Sequence, residues 1–312
     1  MGKLACIFPG QGSQYIGMGK ELFLTPSGSK ALETAREVLG NEFISLMEQG
    51  PEDVLQQTIN TQPAILLVSV VAWQQLRDVG IEPDFVAGHS LGEYSAHVAA
   101  GSLNLAEALR VVRIRGELMQ AADPKGEGGM AAILGLSSEQ VEEACRIASS
   151  HGVVAPANYN CAGQVVISGD KGAVTYAIEV AKGLGAKRAI PLPVSGPFHS
   201  RLMEGVGAAL RLVLEKVSWQ PPRCPVVANI DGAEVLSSAR TISTLVEQVS
   251  SAVLWEQSVR HLRDLGVDTF IECGPGKVLT GLLKKIVPEA KLLRIEDQAS
   301  LEMSLAYLKE SR

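Results

Sequence analysis

No run of the 312-residue chain is long and apolar enough to cross a bilayer: the longest, near Ala64 to Trp73, is about half the ~20 residues a membrane helix needs. The N-terminus offers one lysine and the short run Leu4 to Phe8 before Pro9-Gly10, too little for a signal h-region. Cys6 stands where a myristoylation pattern needs Ser or Thr, so no targeting segment is expected. The five cysteines are odd in number and contain no C-x-x-C pair, which excludes a disulfide framework and a zinc ribbon; no metal site is expected, and a cytoplasmic protein fits best. Charge of one sign is never concentrated. No block of five like charges occurs, and 28 basic against 34 acidic residues give a net −6, so neither nucleic acid nor an anionic membrane has electrostatic support as a partner. Internal repeats and low-complexity segments are also missing. Gly and Pro follow no period, and 46 % apolar with 20 % charged residues is ordinary globular composition. What remains is a chain able to bury a large core and to act on a small molecule or a protein.

The hydrophobic pattern divides the chain. Leu4 to Phe8 reads as a buried strand, Pro63 to Val79 as a helix opened by Thr61, and Asp84 to Gly88 as a second strand, the βα alternation of a parallel sheet. From Gly128 the order becomes strand (Met130–Leu136), helix (Ser138–Ser149), strand (Val153–Ala157), strand (Gln164–Ser168), helix (Lys171–Lys182) and strand (Lys187–Leu192). That β-α-β-β-α-β string is the split pattern of a ferredoxin-like unit. Afterwards come a helix near Arg201–Lys216, a strand Val226–Ile230, helices near Ser243–Val249 and Glu256–Leu265, a strand Asp268–Glu272, and last a helix Val278–Ile286. The expected fold is therefore α/β: an α/β-hydrolase-like large domain with a parallel sheet (residues 1–125 and 194–312), interrupted by a ferredoxin-like small domain (residues 126–193).

The sharpest chemical signal is Gly88-His89-Ser90-Leu91-Gly92, a G-x-S-x-G placed between a strand and a helical stretch. In that context the glycines allow a tight turn that lifts Ser90 clear of the sheet, while the Leu91 N–H can face an oxyanion. The plainer alternative is a Gly-rich βα turn with a capping serine. A nucleophilic serine needs a base, and there are five histidines. His97 lies seven residues up the helix, roughly 10 Å away along the axis at 1.5 Å per residue. Adjacent side chains of the turn point apart, which disfavours His89; His151 precedes a Gly152 turn, and His261 sits in a charged helix. His199, in the irregular loop Val194-Ser-Gly-Pro-Phe-His-Ser200 between the two expected domains, is the candidate by elimination; a surface loop histidine is the alternative.

In the helix Asn104 to Ala122 the apolar stripe Leu105, Ala108, Val112, position 115 and Met119 puts Arg115 on the buried face. A buried guanidinium requires an anion, and its planar fork suits a carboxylate. An internal salt bridge, for instance to Glu93, or snorkelling to the surface would serve as well. Gly10-Gln11-Gly12-Ser13-Gln14 follows the first strand but is no dinucleotide loop, because Tyr15 occupies the third glycine position; it is either a second source of oxyanion N–H or a tight turn.

With these pieces placed, the sequence resembles the malonyl-CoA:acyl carrier protein transacylases. The resemblance is carried by Phe8-Pro-Gly-Gln-Gly-Ser-Gln14, Thr61-Gln-Pro63, Gly88-His-Ser-Leu-Gly-Glu93, Arg113-Ile-Arg-Gly116, Asn158-Tyr-Asn160, Gln164-Val-Val-Ile-Ser-Gly169, Gly196-Pro-Phe-His-Ser200 and Glu272-Cys-Gly-Pro-Gly276, in family order along nearly the whole chain. It implies Ser90 as nucleophile, His199 as base, Arg115 as clamp for the malonyl carboxylate, and the N–H groups of Gln11 and Leu91 as oxyanion hole. It further implies that the backbone carbonyl of Gln248 orients the histidine in place of an aspartate, and that Phe198 and Asn160 belong to the pocket, the bulk of Phe198 disfavouring a branched methylmalonyl unit. Malonyl-CoA and a holo acyl carrier protein would be the substrates, with no bound cofactor. Cys161-Ala162 and Ala252-Val-Leu-Trp255 depart from the family pattern at loop positions. Because such carriers are acidic, a local basic face is expected on Lys171, Lys182, Lys187 and Arg188 and on Lys277, Lys284, Lys285, Lys291 and Arg294.

Overall fold

The computed structural model describes residues 2–194 and 196–311, so Ser195 of the loop above lies outside the described residues. Among the described residues ten strands form two sheets: β1 (Lys3–Phe8), β2 (Phe85–Gly88), β3 (Gly128–Leu134), β4 (Val154–Cys161), β5 (Gln164–Asp170), β6 (Arg188–Pro191), β7 (Val226–Val227), β8 (Glu234–Val235), β9 (Val267–Cys273) and β10 (Lys291–Ile295). The first sheet runs β10-β9-β1-β2-β7-β8, parallel throughout except for β8. β1 is buried from Leu4 to Phe8 and β2 along its whole length, as expected of parallel strands covered on both faces. Alternate residues divide between two cores. Leu4, Cys6, Phe8 and Val86 pack with the helices Pro26–Leu39, Thr58–Asp78, Gly92–Ala99, Leu105–Ala121 and Glu204–Leu214. Ala5, Ile7, Phe85 and Ala87 pack with Trp255–Asp264 and Val278–Ile286 on the opposite face.

The second sheet, order β4-β5-β3-β6, is antiparallel and drawn wholly from the chain between Gly128 and Pro191. Ala131, Ile133, Val165 and Ile167 face its own helices, Ser138–Ala148 and Lys171–Gly183. Met130, Ala157 and Val166 point the other way and join the main core, so the two sheets share one apolar seam. A capping box between Ser137 and Gln140 starts the first of these helices.

Three expectations need correction. The helix expected over Pro63–Val79 spans Thr58–Asp78, and Thr61 does not cap it; its hydroxyl donates to the Leu55 carbonyl. Pro63 thus sits inside the helix, where its missing N–H leaves the Ile59 carbonyl without its ladder partner. Arg113 from the neighbouring helix donates to that oxygen at 3.1 Å and to Asn60 Oδ1 at 2.6 Å. The strand expected over Val226–Ile230 shrinks to two residues, because Asn229 turns inward to bind backbone of the neighbouring strand. The helix Val278–Ile286 is not the last element: β10 and the helix Gln298–Ser311 follow it and close the sheet edge. The helices Pro26–Leu39 and Asn41–Gln49 fill the stretch between β1 and the Thr58–Asp78 helix, for which no element is expected from the sequence. No described helix is long and apolar enough to cross a membrane.

Candidate active site

Loops leaving the carboxyl ends of β1, β2 and β7, three adjacent strands, converge as ligand sites of open α/β sheets do. After β2 the chain turns so sharply that Ser90 takes φ +49°, the left-handed region that costs a non-glycine residue about 1–3 kcal/mol unless its surroundings impose it. The glycines flanking it are sterically required: a Cβ on Gly88 would lie 1.9 Å from the Gly92 carbonyl carbon, and one on Gly92 2.1 Å from the Phe8 carbonyl oxygen. Two amide side chains then fasten the turn. Ser90 N–H donates to Asn229 Oδ1 at 2.7 Å, and the Ser90 carbonyl accepts from Gln248 Nε2 at 3.0 Å.

His199 Nε2 lies 2.8 Å from Ser90 Oγ. Its Nδ1 faces two carbonyl oxygens, Gln248 at 2.8 Å and Ser251 at 3.2 Å, so Nδ1 must carry the proton and Nε2 presents its lone pair to the hydroxyl. Burial, and behind it the charge of Arg115, lowers the imidazole from its ordinary value to about 3 against the opposing pull of those carbonyls; the ring stays neutral at physiological pH. His199 also has positive φ, +59°, and its N–H is held by the Val249 carbonyl at 3.1 Å.

Arg115 is 1 % exposed, and snorkelling is thereby excluded. Nor is it bridged to Glu93: its partners are neutral, Nη1 donating to Gln62 Oε1 at 2.8 Å and Nη2 to Gln248 Oε1 at 3.0 Å and Ser90 Oγ at 3.2 Å. Tyr94 lies beneath, its ring centre 5.5 Å from the guanidinium carbon. A buried cation bonded only to neutral acceptors and beside a hydroxyl is a site short of one anion. Glu93, fully buried, is pushed up to about 7 by burial, with Gln248 and the Asn229 amide pulling the other way.

Ser90, His199, Arg115 and Gln62 line a cavity of about 110 Å³ together with Gln11, His89, Leu91, Met119, Met130, Asn158, Leu192, Val194 and Phe198. Among the described residues the N–H groups of Gln11 and Leu91 donate to no protein acceptor. His89, expected to point away, lines the cavity as well; its ring is held off the serine by Asn160 Oδ1 at 2.8 Å and by Trp255, 5.7 Å between ring centres. Asn160 therefore acts at one remove, behind His89. The remaining histidines are elsewhere: His97 is buried against Ser102 and Trp219, His151 stacks on Tyr176, and His261 faces Glu234.

Sequence reasoning did not single out Asn229, Gln62, Ser251 or the side chain of Gln248. Gln62 stands in the Thr61-Gln-Pro63 motif without an assigned role, and Asn229 sits unremarked inside the strand expected over Val226–Ile230.

The model of the acyl transferase domain matches residues 5–302. The chain belongs to that acyl transferase family. It is 45 % identical over 312 residues to the malonyl CoA-acyl carrier protein transacylase of Bacillus subtilis (strain 168), covering 99 % of this chain and 98 % of that one. The protein of the same name from Salmonella typhimurium is 43 % identical over 307 residues, covering 98 % and 99 %. Among solved structures, an acyl carrier protein S-malonyltransferase from Vibrio cholerae superposes with TM-score 0.94 at 43 % identity, covering 97 % of this chain and 99 % of its own. A type II PKS acyl-carrier protein in complex with its malonyl-transacylase gives TM-score 0.95 at 42 % identity, covering 98 % and 99 %. These neighbours share the mixed α/β architecture with its separate small antiparallel sheet.

Proposed function

We propose that the chain transfers a malonyl group from malonyl-CoA to the phosphopantetheine thiol of an acyl carrier protein by way of a malonyl ester on Ser90. The Ser90 hydroxyl gives its proton to His199 Nε2 as Oγ attacks the thioester carbonyl, and the resulting oxyanion is held by the N–H groups of Gln11 and Leu91. Collapse expels the CoA thiolate, which takes the proton back from His199. The carrier thiol then repeats these steps in reverse, its proton passing to His199 and finally to Ser90 Oγ. The Gln248 carbonyl fixes the histidine tautomer throughout, the role an aspartate has in a Ser-His-Asp site.

The observation that carries this reading is Arg115: buried, without an acidic partner among the described residues, and 3.2 Å from the attacking oxygen. A malonyl carboxylate would complete its hydrogen bonds, and by offsetting the guanidinium charge it would also return basicity to His199 just as the substrate arrives. A serine esterase would need Ser90 and His199 but no such cation. Phe198, 5 % exposed in the cavity wall, is assigned the exclusion of branched acyl units, and Asn160 the support of His89. No step calls for a cofactor. The chain is read as a large catalytic domain, 1–125 and 194–312, holding an inserted domain, 126–193, and working in the cytoplasm. Intact mass after mixing with malonyl-CoA tests the proposal: a malonyl adduct should appear on Ser90 and discharge on adding holo carrier protein, whereas rapid loss to water without carrier would favour the esterase.

A further inference from the structure

Behind the serine lies a polar layer closed to solvent, with Glu93, Asn229 and Gln248 at 0 % exposure. Glu93 takes no part in the transfer steps, yet a buried carboxylate is costly to keep. It forms no ion pair among the described residues. Its Oε1 has no donor among them either, while Oε2 accepts from Gln248 Nε2 at 2.8 Å and from the Asn229 N–H at 3.0 Å.

This carboxylate, with the Ser90 carbonyl and the guanidinium of Arg115, sets which way the Gln248 amide faces. The two ends of an amide have nearly the same shape and opposite hydrogen-bonding character. With Nε2 toward Glu93 and the Ser90 carbonyl, Oε1 meets Arg115 Nη2 at 3.0 Å, and the second hydrogen of Nη2 is left for the Ser90 hydroxyl. Turned over, the amide would set an oxygen against the carboxylate and the Ser90 carbonyl, and an N–H₂ against the guanidinium. Ionised Glu93 and the Ser90 carbonyl only accept and the guanidinium only donates, so together they forbid the second arrangement.

We propose that Glu93 is a positioning residue for carboxylate-bearing acyl groups: it locks the Gln248 amide, and the locked amide aims Arg115 at the serine. The inference rests on the malonyl-transfer reading above. Its effect falls on substrates that use Arg115 and spares acetyl, which does not.

The test is single-turnover loading of Ser90 from malonyl-CoA and from acetyl-CoA over a range of concentrations, followed by intact mass, with melting temperature recorded for each variant. Glu93→Ala should lower the malonyl-to-acetyl loading ratio about tenfold, chiefly by raising the malonyl-CoA concentration needed, as loss of one charge-assisted hydrogen bond does. Glu93→Gln can still turn an oxygen toward Gln248 and should restore part of that ratio. In a Gln248→Leu background, where the amide is gone, Glu93→Ala should lower the ratio no further. A ratio unmoved in Glu93→Ala, with both acyl groups slowed alike and a lower melting temperature, overturns the proposal and leaves Glu93 a structural residue. Should Glu93→Ala fail to fold, Gln248→Leu decides, and a wild-type ratio there overturns the lock. Wild-type protein that takes no malonyl would sink the functional reading and this one together; wild type that loads malonyl while the variants keep its ratio sinks only this one.

Discussion

The six-stranded sheet reaches the cavity through the carboxyl ends of three neighbouring strands, whereas the four-stranded sheet reaches it through one apolar face. Ser90 and Asn229 leave β2 and β7, and Gln11 leaves β1, each at a point where strand geometry fixes its position. Met130 and Asn158, from β3 and β4, only form wall. The contrast separates two jobs: reactive groups on backbone that cannot move without breaking a parallel sheet, and walls on a small unit that can be reshaped while its own core, built on Ala131, Ile133, Val165 and Ile167, stays intact. Loss of a group held by the large sheet and its helices should therefore cost more than reshaping the wall or the surface around it.

The largest effect expected is on the large-sheet side. Ser90→Ala should abolish the malonyl adduct in the intact mass spectrum, and any covalent malonyl remaining would place the nucleophile elsewhere. Next comes Arg115→Ala, which should cost malonyl transfer about 2–5 kcal/mol, the range for truncating one member of a buried charge pair, while acetyl loading holds or rises. Lys should rescue poorly, since a point charge cannot copy the planar fork. A malonyl-to-acetyl ratio equal to wild type would reject the carboxylate clamp.

Smaller effects test the wall. Phe198→Ala opens space for one methyl branch and should shift selectivity toward methylmalonyl-CoA by about 10–200-fold, the worth of a methylene in a pocket, as read from competing loading rates. Charge reversal at exposed Lys187 and Arg188, or at Lys284 and Lys285, should slow discharge to the carrier a few-fold and leave loading untouched; equal loss in both half-reactions would refute a docking role. Arg294 does not belong to that face, since it is half-buried and paired with Glu296 at 2.8 Å.

The smallest concerns stability. His97 and His199 are both lowered to about 3 by burial, so the folded state binds fewer protons than the unfolded chain between about pH 3 and the ordinary histidine value. Their contribution is present above that value and is lost as pH falls through the window. The melting temperature should drop on acidification from pH 6.5 to 4, and less steeply in His97→Gln. Loading should likewise persist to lower pH than an ordinary histidine base allows.

Sequence pattern carried the small unit best. Its strands and helices alternate faces cleanly, and Ser137, Lys171 and Gly135 mark their ends. The Ser90 turn and the inward face of Arg115 were legible for the same reason, since local spacing sets them. β10 was not, being an edge strand half-exposed along Leu292 to Arg294 and flanked by charge. Least legible was the layer behind the serine. Gln62, Glu93, Asn229 and Gln248 come from four distant segments, and each is an ordinary polar residue until the fold brings donor to acceptor.

Pro63 has a consequence for anyone seeking a sturdier protein. A proline inside a helix is the first residue a stabilising design would replace, with about 3 kcal/mol of propensity to recover. Here the unclaimed Ile59 oxygen is a keyhole that the neighbouring helix turns in, through Arg113, at the place where Gly116 lets the two backbones nearly touch; a Cβ there would lie 2.8 Å from Ile59 Cα. That helix also carries Arg115. Restoring an N–H at position 63 would compete for the keyhole and free the helix to slide, so a repair of local helix geometry would be felt as blurred substrate choice.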